Sequence, residues 1–110
     1  MAKQLSVGTA LVASALTTTA FAFDTSMQMS GAMFSQACTR ADQNWISFCD
    51  GYIQAAVDSL REGDGICIPG GTTRTDLVTI TERAITAMSQ LQGMNAHEAV
   101  RVVMRHSYPC

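Results

Sequence analysis

Four cysteines are the most reactive side chains in this sequence, and their spacing decides what they can do. Cys38, Cys49, Cys67 and Cys110 stand far apart in a chain of 110 residues, whereas structural zinc sites draw on close pairs such as Cys-x-x-Cys. A thiol nucleophile would need one unpaired cysteine beside a histidine, and an even count argues instead for two disulfides in an oxidising compartment. His97-Glu98 begins like the His-Glu-x-x-His helix of zinc peptidases, but the second histidine would fall at Arg101, so that site cannot form. The other histidine, His106, has no such context. Asp50 and Asp58 lie two turns apart on one helix face, where solvation is a simpler reading than a paired acid and base. Met27, Met29 and Met33 could hold a soft metal such as copper, yet methionine at helical steps usually fills a core. The residues therefore predict no catalytic group, no metal and no cofactor.

Composition narrows the partners. With 47% hydrophobic and 15% charged residues and a formal charge of -2, the chain suits one small domain and offers no basic patch for nucleic acid. Residues 1–22 read as a cleaved signal peptide. One lysine precedes the apolar run LSVGTALVASAL, and Ala20-Phe21-Ala22 gives the small-x-small pattern for cleavage after Ala22. Thr17, Thr18 and Thr19 interrupt the run too early for a membrane anchor, which needs about 18 consecutive apolar residues. The mature part, residues 23–110, carries six basic and nine acidic residues, a net of -3. No membrane association is expected after cleavage.

Periodicity predicts four helices and no strand. The first spans about Met27 to Cys38, with Met29, Met33, Phe34 and Ala37 facing inward. The second spans about Gln43 to Glu62, its stripe made of Trp45, Phe48, Cys49, Tyr52, Ile53, Ala56, Val57 and Leu60, and ends at Gly63-Asp64-Gly65. The third, about Arg74 to Leu91, is capped by Thr73 with Asp76 near its N-terminus and buries Leu77, Ile80, Ala84, Ile85, Met88 and Leu91. Gly93 ends it. Asn95 and Glu98 suggest a capping box for the fourth, whose inner residues are Ala96, Ala99, Val100 and Val103. Pro109 ends the fourth helix near Tyr108-Pro109-Cys110. Gly51, costly inside a helix by about 1 kcal/mol, is tolerable if a neighbouring backbone comes close there, and Tyr52 can bury its ring while its hydroxyl reaches the edge.

Short connections favour antiparallel neighbours, so the expected fold is all-α, a small disulfide-stapled four-helix up-and-down bundle. That topology selects one of three cysteine pairings. Cys38 and Cys49 fall at one pole, Cys67 and Cys110 at the other, and the two links would contribute about 3 and about 4 kcal/mol by loop closure.

The run CDGYIQAAVDS with its Cys49, Gly51, Tyr52, Ile53 and Asp58, the loop Cys67-Ile68-Pro69 followed by Gly70, Gly71 and Thr72, and the final Tyr108-Pro109-Cys110 resemble the Rap/Tai immunity-protein family. The resemblance covers about Cys38 to Cys110. It departs at Ala55-Ala56-Val57, where the family's helix usually continues with Gly-Val, and before His97, where a His-Pro is often seen. The resemblance implies that residues 23–110 form a helical immunity domain in the periplasm, often a homodimer. The implied protein partner is a type VI secretion effector, a cell-wall amidase, that the domain blocks by occlusion without chemistry of its own. For such a role the loop Gly63 to Arg74 is the best candidate surface, with Pro69 and Cys67 stiffening it and Asp64, Thr72 and Arg74 offering polar contacts. A second candidate is the segment Gln92 to His97, and a dimer would use apolar residues left over on the first or third helix. The other reading kept open is a periplasmic binding or chaperone-like protein, which the apolar, methionine-rich first helix would suit.

Overall fold

In the computed structural model, which describes residues 28–60 and 62–110, the most regular apolar pattern of the chain makes its most buried helix. Ala96, Ala99, Val100, Val103 and Met104 recur at three- and four-residue steps, and all five are buried in the helix Ala96–Ser107. Before it come Gly31–Cys38 (α1), Gln43–Asp58 (α2), Arg74–Ala87 (α3) and the single turn Ser89–Gln92 (α4), so Ala96–Ser107 is α5. A 3-10 turn, Glu62–Asp64, lies between α2 and α3. Helix α5 packs against all four others, and the most extensive pairing is α1 with α3. The all-α, disulfide-stapled bundle is as expected, and the links are Cys38–Cys49 and Cys67–Cys110. Among the described residues no helix is long and apolar enough to cross a membrane. The expected signal sequence and cleavage site, and Met27 in the first expected helix, lie outside the described residues.

Several boundaries differ from expectation for identifiable reasons. Helix α1 begins at Gly31, because Ser30 is extended and its hydroxyl accepts from the Met33 N–H at 3.1 Å as the N-cap. Helix α2 stops at Asp58, short of the glycines. The Ser59 hydroxyl donates to the Ala56 carbonyl at 2.7 Å, a local bond that competes with continuing the helix. The expected third helix is two: Met88 is extended (φ -124°, ψ 107°), and the Gln92 side-chain amide donates to the Ile85 and Thr86 carbonyls, satisfying groups that the break leaves open. Thr73 and Asp76 form a full capping box. Asn95 does cap α5, accepting from the His97 N–H at 2.9 Å, but Glu98 closes no box and instead faces Arg101 at 3.8 Å.

The core is assembled around Phe34, Ile53, Ile85, Val100 and Met104, each at most 0% exposed. Three expected core residues are corrected outward: Met33 is 53%, Phe48 41% and Met88 44% exposed. Along α3 the buried line runs through Leu77, Val78, Thr81 and Ile85, leaving Ile80 and Ala84 half-buried at its flank. Gly51 is also corrected, since it is exposed and a Cβ there would meet nothing within 4 Å. The close backbone approach is at Gly31 instead, where a Cβ would fall on the Leu91 carbonyl oxygen.

Backbone pairing clamps both ends of α5. At its start, Ser30 and Asn95 form an antiparallel bridge, with Gly31 N–H donating to Met94 O at 2.8 Å and Ala96 N–H to Met29 O at 2.7 Å. At its end, Ile66 bridges Pro109, with Cys67 N–H donating to Tyr108 O at 2.8 Å and Cys110 N–H to Gly65 O at 3.3 Å.

A buried hydroxyl on α3 works against stability. Thr81 is fully buried and its hydroxyl has no hydrogen-bond partner among the described residues. Leaving a buried hydroxyl unpaired costs about 1–3 kcal/mol, so Thr81→Val should stabilise the domain by about 1 kcal/mol or more. Chemical denaturation would register this as a higher midpoint at unchanged slope. A lower midpoint would show that the hydroxyl is satisfied.

Candidate functional site

The loop from Gly63 to Arg74 is tied down along most of its length. Its first glycine turn is at Gly65 (φ 80°), a left-handed position that glycine adopts without steric cost. Ile66 then plunges into the core at 5% exposure, and Cys67 is linked to Cys110. The Arg105 side chain reaches back from α5, its Nε donating to the Asp64 carbonyl at 3.1 Å. Beyond Pro69 the chain makes a tight turn. The Thr72 N–H and hydroxyl both donate to the Pro69 carbonyl, at 3.2 and 2.8 Å, and Gly71 supplies the positive φ (92°) that a type II turn demands at its third residue. Thr73 then caps α3 and Arg74 opens it.

Of the residues singled out from sequence, Asp64 and Thr72 are half-buried and Arg74 is exposed. All three belong to this one segment. Pro69 anchors its turn and Pro109 sits in the bridge that closes it. The α2 motif residues have other settings: Ile53 is core, Gly51 is exposed, and Asp58 accepts from the Gln54 amide at 2.8 Å. In the second candidate segment, Gln92 is engaged in closing α3, Asn95 caps α5, and His97 is held by Ser59.

A surface that sequence reasoning missed lies across α1 and α2. Aromatic rings run outward in steps from Phe34 to Tyr52 (5.5 Å), Phe48 (6.1 Å) and Trp45 (5.5 Å), and the Arg40 guanidinium sits 5.3 Å over the Trp45 ring. Burial of Tyr52 raises its phenol above the ordinary value of 10.0. Met33, Gln36, Ala37, Arg40 and Trp45 line a shallow groove of about 220 Å³. Placing α2 residues at 100° steps explains why the signal was misleading. Cys49, Ile53 and Ala56 define the buried direction, Tyr52 and Trp45 sit on its flank, and Phe48 lies roughly 110° away. Tryptophan, tyrosine and arginine are the side chains that most often dominate binding energy at protein interfaces.

Ser59 and His97, 38 residues apart, also meet: Ser59 Oγ is 2.7 Å from His97 Nε2. A nucleophile and base would need the serine proton directed at the imidazole. The Ala56 carbonyl, which can only accept, lies at the same distance from the hydroxyl and competes for that single proton. The contact acts as a tie between the C-terminus of α2 and the start of α5. Among the described residues, no three His, Cys, Asp or Glu side chains are grouped to hold a metal ion.

The class defined by these features is a small all-α bundle stapled by two disulfides. The profile described as Rap1a immunity proteins matches residues 30–110, and the chain belongs to that family. No curated protein and no solved structure gives a significant match to it.

Proposed function

We propose that this chain is a secreted periplasmic immunity protein that binds and occludes a peptidoglycan amidase delivered by type VI secretion. The observation that carries the reading is the family match across residues 30–110. The proposed mechanism is occlusion: a stiff surface fills the enzyme's cleft, and no residue of the inhibitor reacts. Stiffness matters because ordering a loose loop on binding subtracts from affinity. The segment Gly63 to Arg74 meets that requirement through a disulfide, a backbone bridge and the Pro69–Thr72 turn. Asp64, Thr72 and Arg74 are the contact residues proposed there, and a homodimer would be built on apolar residues left over on α1 or α3, such as the exposed Met33.

The test is binding of the mature chain to amidases encoded beside it, followed by Asp64→Ala, Thr72→Ala and Arg74→Ala variants. Loss of a polar interface contact to alanine at a hot spot costs about 2 kcal/mol, roughly thirtyfold in Kd. Unchanged affinity in all three folded variants would rule out the loop as the interface. A second reading, a chaperone-like periplasmic binder, is favoured by the exposed Met33, Phe48 and Met88. It predicts broad binding of unfolded chains, and weakening by Trp45→Ala and Phe48→Ala instead of by the loop variants.

A further inference from the structure

The two disulfides occupy different environments. Cys49 is 1% exposed within the core, with half-buried Cys38 packed against it. Cys67 and Cys110 are both exposed. We propose that Cys67–Cys110 is an exchangeable latch, open to dithiol reductants while the protein stays folded, and that Cys38–Cys49 is a permanent staple. Exchange requires a thiolate to approach one sulfur from outside the bond, so access controls its rate. The attacking thiolate forms a mixed disulfide with one of the two cysteines and releases the other as a thiolate. The reductant's second thiolate then attacks the reductant's own sulfur in that mixed disulfide, closing the reductant's disulfide and releasing the remaining protein cysteine as a thiolate. Two electrons and two protons pass to Cys67 and Cys110, and the dithiol leaves as a disulfide.

What holds the segment after that step is modest. Ile66 remains buried, and the Cys67 to Tyr108 bond, the Cys110 to Gly65 bond and the Arg105 to Asp64 bond remain available. Helix α5 is still anchored by Val100, Val103 and Met104. Opening is therefore local: residues 63–72 and 108–110 loosen, while the α1–α2 junction keeps its own link. Redox state sets how ordered the loop is, whatever the loop binds.

The oxidised mature protein, treated with dithiothreitol under native conditions, quenched by alkylation at intervals and mapped by mass spectrometry, provides the test. Cys67 and Cys110 should be labelled about tenfold or more faster than Cys38 and Cys49, and denaturant should erase the difference. Hydrogen exchange on the singly reduced form should rise at Ile66, Cys67 and Tyr108 and stay slow at Ile53 and Val100. A Cys67→Ala/Cys110→Ala double variant should reproduce that pattern with helical circular dichroism intact. Equal labelling rates, earlier opening of Cys38–Cys49, or global loss of protection on opening Cys67–Cys110 would overturn the proposal.

Discussion

Replacing Gly31 by alanine should destabilise the protein by about 3 kcal/mol, the upper end of what overpacking a tight site costs. The new methyl carbon would fall on the Leu91 carbonyl oxygen and crowd the Leu91 carbonyl carbon, both backbone atoms that cannot swing aside as a side chain tip can. Nor can α1 retreat easily, because the Gly31 N–H is bonded to the Met94 carbonyl and Met29 O accepts from Ala96 on the same edge. In a domain of this size the melting temperature should fall by about 12 °C or more. Gly51→Ala is the matched control. It adds a methyl to an exposed helical site with nothing within 4 Å, so helix propensity should raise stability by about 0.5–1 kcal/mol. Thermal unfolding of the pair separates the two accounts, since shifts in the same direction would refute a close approach at Gly31.

Phe34→Ala should be at least as damaging. Its ring is fully buried and meets the Tyr52 ring at 5.5 Å, and truncating such a residue costs about 3–5 kcal/mol through lost transfer energy and the cavity left behind. Against the roughly 5–15 kcal/mol that holds a typical domain together, this leaves a fold near its limit. Phe48→Ala, on the same aromatic run but 41% exposed, should cost less than about 1 kcal/mol, within reach of ordinary surface substitutions. Urea titration of both variants tests the depth ordering of the rings. Comparable losses would place Phe48 in the core as firmly as Phe34.

What could be read from the chain was what local spacing determines. The buried face of α5, the Thr73 cap with Asp76, and the pairing of Cys38 with Cys49 and of Cys67 with Cys110 all follow from periodicity, short-range hydrogen bonding or helix connectivity. The misreadings share a different cause. Phe48 is apolar and one step from the buried direction of α2, and only the positions of α1 and α3 determine that the core ends before reaching it. Thr81 carries a hydroxyl and so falls outside any apolar stripe, yet the α3 face turned inward carries it into the core. Gly31 is explained by Leu91, 60 positions later, a proximity that no local pattern announces. The candidate loop is legible in Pro69 and Cys67, which stiffen it, and in the polar Asp64, Thr72 and Arg74. The bridge and the Arg105 contact that hold it come from α5, and nothing in the loop's own residues encodes them.

The pairing at both ends of α5 has a consequence for how the molecule is made. A chain that emerges N-terminus first presents α1 to α4 while the helix that covers them, and the residues that lock Ser30 and Ile66 in place, are still to come. The link between Cys38 and Cys49 spans 11 positions and can close early, but the one between Cys67 and Cys110 spans 43 and must await Cys110. Contacts of long sequence separation slow the formation of the native state. Nascent material therefore lacks its covering helix until residues 96–110 arrive, and a ribosome holding those residues back would delay the pairing at Ser30 and Ile66 with them.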